Sequence, residues 1–386
     1  MIQTKFQEII GTKHPIIQAG MGPYATTKLC IAVAKEGGLG LISTIGMAGP
    51  DVNFIPEEDR KFDFGVGGSP KNVLKQTIRY VFERLEDYPE AKFGVNIPIA
   101  KIFTSVSRQF MKAVIEIFEE MPEVKKQLRV MVTSAGDPLP WAIDAKEKGS
   151  KRSFLEIKKE LPSIIWCQVC PNVRGAKRAE RSGVDIIIAS GREGGAHCAW
   201  RDTSSMVLLP EVVRTVNLPV VGAGGFADGA SLAAALALGA IGVQMGTRFI
   251  ATQEGDFEQM WKEQLVKATE SDTIVGRGIF GPMRFLINPA SLEIIDETIK
   301  GASDLYRGKP CPTTDKIRIL EEKGFKKLID EDENESLMNA GVVTGRIHSI
   351  PTVHDLIQSI MTEAEEIILS LPKKVKVMKT ENPIVE

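Results

Sequence analysis

The stretch 190–200, SGREGGAHCAW, follows the apolar run GVDIIIA and offers one imidazole, His197. An imidazole titrates near neutral pH, so His197 is suited to act as acid, base or hydrogen-bond donor. The glycines before it remove side-chain bulk, which lets a flat ligand lie against the backbone. The chain has four histidines. His14 starts an apolar run at the expected far end of the fold, and His348 and His354 lie in the C-terminal segment. His197 is therefore the candidate catalytic residue, against the plainer reading of a structural loop histidine.

Two further stretches have a composition that suits anion binding. GAGG (Gly222, Gly224 and Gly225 with Ala223) lets backbone amides approach a phosphate closely. MGTR adds Gly246, the hydroxyl of Thr247 and a cation, Arg248. The alternative is that these glycines only make tight turns, and their recurrence in successive units favours phosphate. Cys167 and Cys170 form a CxxC, but residues three apart on a strand point to opposite faces. No second cysteine pair completes a zinc site, so no metal is expected. Cys198 adjoins His197 in sequence only. Arg174, Lys177 and Arg178 read as a solvated helix face.

The elements that position these residues alternate regularly. Strands are predicted at 14–19, 39–43, 92–97, 129–134, 164–169, 184–189, 218–222 and 241–245. Helices are predicted at 26–36, 70–88, 105–120, 140–148, 172–182, 206–216, 228–238 and 254–268. Several strands are apolar at nearly every position, as in a parallel sheet covered on both faces. Eight such units within residues 1–270 predict a (β/α)₈ TIM barrel, with an open doubly wound sheet as the rival. In a barrel the site lies at the C-terminal ends of the strands, where the loops carrying Gly20, Asn96, Gln168, His197, GAGG and MGTR all fall. An insertion, 46–69, follows the second strand. Residues 271–386 form a C-terminal helical extension packing on the barrel. Within it, TIVGRGIFGPMRFLINP reads as a loop with turns, 307–336 as a charged insertion holding a short helix, and 352–370 as an amphipathic helix. The last residues read as a frayed tail.

The 386 residues carry a net charge of −2. Nothing in that balance favours nucleic acid or an anionic membrane surface. No run approaches a membrane span, and the start, MIQTKFQEIIGTKHP, does not read as a signal peptide. With five cysteines, an odd number, a reduced cytoplasmic protein is expected.

Taken in order, HPIIQAGMG, FGVNI, VTSAGDP, GREGGAH, LPVVGAGGFADG, GAIGVQMGTRF, GRGIFGPMRFLINP and AGVVTGRIHSIPTVHDLI resemble the FMN-dependent nitronate monooxygenase family, formerly called 2-nitropropane dioxygenases. That family shares its barrel with flavin-containing enoyl-[acyl-carrier-protein] reductases and some NADH:quinone reductases. The resemblance implies bound FMN. Gly20, Met21 and Gly22 would lie against the flavin, with Asn96 and Gln168 near the ring. Gly222, Gly224, Gly225, Gly246 and Thr247 would hold the phosphate. The family's G-x-E-A-G-G-H appears as GREGGAH, with Glu193, Gly194, Gly195 and His197 in register and one departure, Ala196 before the histidine. The implied activity is oxidation of alkyl nitronates with O₂ to a carbonyl compound and nitrite. The alternative is reduction of an enoyl thioester or quinone with NAD(P)H as transient reductant, and a non-catalytic phosphate-binding barrel is the remote one. The expected partner is a small-molecule substrate, and a homodimer is the assembly allowed for.

Overall fold

The structure is a computed structural model that describes residues 2–47, 69–199, 201, 203–301 and 312–375. Most of the 46–69 insertion, the start of the 307–336 segment and the last residues lie outside the described residues. Eight strands close a parallel barrel: β1 (Ile16–Gln18), β2 (Leu39–Ser43), β3 (Lys92–Pro98), β4 (Leu128–Ser134), β5 (Ile165–Cys170), β6 (Ile186–Ser190), β8 (Val220–Ala223) and β9 (Gly242–Met245). β9 pairs with β1 through Ile16–Val243, Ile17–Gln244 and Gln18–Met245, which closes the ring. The two-residue strand β7 (Ala196–His197) lies outside it.

The strands are largely apolar because each has two buried faces. In β6, Ile186 and Ile188 fill the barrel, while Ile187 and Ala189 pack outward against the helix layer. The lumen holds Leu39, Leu41, Val130, Val132, Cys167, Val221 and Ala223. Its lower end is plugged by the helix Lys5–Ile10, an element that the strand–helix alternation does not predict. A Thr4–Gln7 capping box starts that helix, and Phe6 and Ile10 enter the barrel cluster. Each such fully buried side chain contributes roughly 1.5–3 kcal/mol.

The same alternation makes the top of the lumen polar. Following Leu39 and Leu41, Ser43 faces inward. Following Val130 and Val132, Ser134 does, and following Ile186 and Ile188, Ser190 does. Asn96 and Gln244 share the inward faces of Gly94 and Gly242, where an added Cβ would approach Leu41 and Phe6 respectively. The C-terminal rim of an apolar barrel thus ends in a ring of hydroxyls and amides.

The extension differs from the expectation. TIVGRGIFGPMRFLINP is a hairpin, β10 (Thr273–Arg277) and β11 (Pro282–Leu286), with Val275 opposite Arg284. Glycines at its centre and Pro282 disguised it as a loop, but proline is tolerated as the first residue of a strand. β7 completes this three-stranded sheet through Ala196–Arg284 and His197–Met283, so the extension takes hold of the histidine loop. The charged segment carries the helix Asp315–Ile329. The helix Val353–Lys374 buries Val353, Leu356, Ile357, Ile360 and Met361. It packs on the helix Gly229–Ala237, where a Cβ at Gly229 would meet Ala364 N at 2.4 Å. The helix predicted at 140–148 is reduced to a 3₁₀ turn, Leu139–Trp141, and further turns. Pro140 has no amide to donate, and Asp144 takes a positive φ of 52°. The segment after β9 divides into Thr247–Ile250 and Gln259–Lys267.

Candidate functional site

Loops after β6, β8 and β9 converge with residues 340–342. Glu193 turns back from the β6 loop, and its carboxylate accepts from the Ser205 amide at 2.9 and 3.0 Å and from Ser205 Oγ at 3.1 Å. It thereby caps the helix Ser205–Thr215, whose N-cap Ser204 makes no side-chain bond. The Glu193 carbonyl accepts from Val342 N at 2.9 Å. Gly195 lies so close to residues 340–341 that a Cβ would come within 2.7 Å of their backbone. Gly224 and Gly225 follow each other with φ of 81° and 86°. A Cβ at Gly224 would sit 2.7 Å from Gly191 O, so this turn requires glycine on both counts. Gly341 N donates to Thr247 Oγ1 at 2.9 Å, which joins the last of these loops to the others. Among the candidates, Glu193, Gly195, Gly224, Gly225 and Thr247 form one cluster. Gly194 lies beside it, 3.7 Å from Gly224 Cα as measured from an added Cβ.

A second cluster adjoins it through the Gly246–Thr247 peptide. Gly20 packs on Asn96, where a Cβ would come within 2.4 Å of the Asn96 side chain. Asn96 Nδ2 donates to Val132 O and Ser134 Oγ, both at 3.3 Å. Gly246 adjoins Met21, with an added Cβ 3.4 Å from its sulfur. Gly22 lies against Ile45. In the polar ring, Ser43 Oγ and Gln244 Oε1 are buried and have no hydrogen-bond partner among the described residues. Unmet acceptors of that kind are costly and mark a place where polar ligand atoms fit.

His197 follows Gly195 and Ala196 at the edge of the first cluster, paired with Met283. The residue is exposed at the rim, with protein packed densely around the ring. That crowding withholds water from the charged form, and the charge of Arg277 adds to it, lowering the pKa to about 4. The imidazole is neutral at pH 7. Its ring centroid lies 5.9 Å from that of Phe280, and Phe280 lies 4.6 Å from Phe103. Ala196, the departure noted in sequence, has a φ of 56°.

Two candidates lie elsewhere. Gln168 is on the helix-facing side of β5 with Trp166, not the lumen side with Cys167. Its amide accepts from Thr133 Oγ1 at 2.6 Å and donates to Val169 O at 2.9 Å. Gly222 faces Leu209 and Phe226, where it allows close helix–sheet packing. Arg178 is not a merely solvated residue: it forms a bidentate pair with Asp137, both contacts at 2.6 Å, tying the helix Val173–Ser182 to the β4 loop. Cys167 and Cys170 face opposite sides of β5, as expected from the alternation, and burial pushes both thiols up. Ser43, Gln244, Phe280 and Gly341 also belong to the rim and were not among the candidates read from sequence. A polar residue inside an apolar strand was the available signal for Gln244. A groove of about 390 Å³ lined by Gln264, Lys267, Asp272, Asn288 and Glu333 shares no residue with these clusters.

The closed parallel barrel is that of an FMN-dependent oxidoreductase, a class to which sequence and structural relatives assign the chain. The chain is a member of the nitronate monooxygenase family, whose sequence model matches residues 3–363. It is 30% identical to a probable nitronate monooxygenase of Staphylococcus saprophyticus, over 74% of this chain and 79% of that one. It is 26% identical to the (3aS,4S,5R,7aS)-5-hydroxy-7a-methyl-1-oxo-octahydro-1H-indene-4-carboxyl-CoA dehydrogenase of Rhodococcus jostii, over 94% and 96% of the two chains. Among solved structures, FabK from Thermotoga maritima superposes with a TM-score of 0.74 at 27% identity, covering 97% of this chain and 100% of that one. No helix among the described residues is long and apolar enough to cross a membrane.

Proposed function

We propose that this enzyme oxidises or reduces a carbon–carbon bond conjugated to a thioester carbonyl, with His197 as the hydrogen-bond donor to that carbonyl. The observation that carries this reading is the neutral His197 ring beside Phe280, which packs in turn on Phe103. An uncharged donor set in an aromatic wall suits a neutral carbonyl on an apolar body better than a compact anion. The near end-to-end similarity to a CoA-thioester dehydrogenase supports the same substrate class.

The residues present fit FMN. The left-handed turn Gly224–Gly225 and the start of the helix Thr247–Ile250 offer backbone amides to its phosphate, with the Thr247 hydroxyl beside them. The Gly20–Gly22 loop, Asn96, Ser43 and Gln244 would border its ring system, and Ser43 Oγ and Gln244 Oε1 each have bonding capacity to give. When bound, FMN supplies hydride transfer to or from carbon. The protein's own part is to hold the carbonyl. His197 donates a hydrogen bond to its oxygen, which is worth most where charge develops on that oxygen. The exposed Phe280 ring offers an apolar face beside His197 for the substrate's carbon chain. Glu193 fixes the loop on which His197 stands.

Nitronate oxidation is the second reading. It is favoured by the family model and by Arg277, whose positive charge acts at His197 and would attract an anionic substrate.

The test is anaerobic stopped-flow absorbance at the flavin band. NADH- or NADPH-reduced enzyme is mixed with an α,β-unsaturated CoA thioester, and oxidised enzyme with a saturated acyl-CoA or an alkyl nitronate. Rapid flavin turnover with either thioester is expected. Bleaching by the nitronate alone would overturn the reading. His197→Ala should retain the yellow colour and lose about 10²–10⁴-fold in turnover.

A further inference from the structure

Phe280 is a large apolar side chain that the fold leaves exposed. It is 40% exposed at the tip of the β10–β11 turn, yet its ring touches two separate parts of the rim. One is Phe103, at the end of the turn Lys101–Phe103 after β3, and the other is His197 on β7. An apolar ring left accessible between two rim elements adds little to the core and presents a face to whatever lies beside His197.

The turn that carries it is held firmly. Gly278 N donates to Gly281 O at 2.7 Å, and Arg277 Nη1 donates to Gly278 O at 2.6 Å. From below, the carboxylate of Glu321 accepts the Ile279 amide. Glu321 comes from the helix Asp315–Ile329 and is only 3% exposed. It approaches so closely that a Cβ at Gly278 would lie 2.9 Å from its Oε2. Burial, opposed by the Ile279 amide and by Arg277, raises its carboxyl to about 7. A buried carboxyl is expensive in a helix that contributes only Ile317, Gly324 and Leu328 as other buried positions. Its one backbone partner belongs to the residue next to Phe280.

We propose that Phe280 is a specificity-determining wall of the substrate site, selecting planar apolar acyl groups, and that Glu321 is its positioning residue. The proposal rests on the functional reading above for the nature of the substrate. For the location of the site it rests only on His197. The charged segment of the extension thereby supplies the post that sets the aromatic wall.

The experiment measures KM and kcat of the FMN-loaded enzyme with crotonyl-CoA and cinnamoyl-CoA, under saturating NADH or NADPH as the two-electron reductant. The variants are Phe280→Ala, Glu321→Ala, Glu321→Gln and the double variant Phe280→Ala/Glu321→Ala. Phe280→Ala should raise KM for the cinnamoyl thioester about tenfold, and for the crotonyl thioester by much less, with full flavin content. Glu321→Ala should reproduce that split. Glu321→Gln, which keeps an oxygen for the Ile279 amide, should restore the wild-type KM. The double variant should be no worse than Phe280→Ala alone. An unchanged KM ratio between the two thioesters in Phe280→Ala overturns the wall. Additive losses in the double variant, or no rescue by Gln, overturn the role of Glu321. If wild-type enzyme turns over neither thioester, the functional reading has failed and the wall is judged on alkyl nitronates of increasing chain length. A KM that loses its dependence on chain length in Phe280→Ala then supports the wall, and one that keeps it overturns the wall.

Discussion

The Gly341 amide donates to Thr247 Oγ1 at 2.9 Å, across 94 residues of chain. The hydroxyl that accepts this bond keeps its own proton to give, and the bond fixes the direction from which it can be given. The extension therefore orients a group of the proposed phosphate site. Thr247→Val keeps the shape and removes both functions. It should cost about 1 kcal/mol of stability for the lost acceptor, and about tenfold in FMN affinity for the lost donor. Fluorescence titration of the apoenzyme with FMN reads the second effect. Thr247→Ser should restore both, and FMN binding by the Val variant that matches wild type would take Thr247 out of the phosphate site.

Glu193 sits within the motif that suggested cofactor contact, yet its carboxylate is spent on Ser205. Glu193→Ala leaves the first turn of the helix Ser205–Thr215 without an acceptor and should destabilise the enzyme by about 1–2 kcal/mol. Glu193→Gln keeps one oxygen and should recover roughly half of that. Urea unfolding followed by circular dichroism measures both. A Glu193→Ala variant as stable as wild type would show that the helix start is satisfied in another way.

The barrel was legible because its strands are apolar on both faces and its punctuation is regular. All eight strands of the ring overlap their predicted segments. Local pattern also located the glycine turns, since two successive left-handed residues at 224 and 225 leave little choice but glycine. What it missed depends on long-range pairing. The Thr273–Arg277 and Pro282–Leu286 hairpin is short and broken by glycines, and it becomes a sheet by recruiting Ala196 and His197 from a loop far away in sequence. The face that Gln168 occupies was not legible for a simpler reason: one residue along a strand changes the face, and Val169 rather than Gln168 shares the lumen side with Cys167. Ser43 and Gln244 are single polar residues whose meaning depends on which face of the strand they occupy.

Ala196 occupies a left-handed conformation, with φ of 56°, where its Cβ crowds the backbone. That costs about 1–2 kcal/mol relative to an ordinary conformation, and glycine avoids it. Its methyl packs against the small cluster of Met283, Phe285, Ile294 and Leu337, which offsets part of the cost. Ala196→Gly should therefore stabilise the protein by up to about 1 kcal/mol, read as a rise in the urea midpoint at constant slope. A fall in the midpoint would mean that the methyl contact outweighs the strain.

His14 is 4% exposed, and neither ring nitrogen has a hydrogen-bond partner among the described residues. Burial first, and Lys13 second, lower its pKa from 6.5 to about 4, with Glu36 and Glu365 acting in the opposite sense. The unfolded chain then binds this proton more readily than the folded one, so stability rises with pH between the two values. The contribution is complete above about pH 6.5, falls as the pH drops toward 4, and is gone below that value, amounting to roughly 2–3 kcal/mol. His14→Leu has no proton to gain. Between pH 7 and pH 4.5 it should lose less stability than wild type, by about the same amount, in urea titrations at matched ionic strength. Parallel losses in the two proteins would mean that His14 gains a partner on protonation and takes no part in acid unfolding.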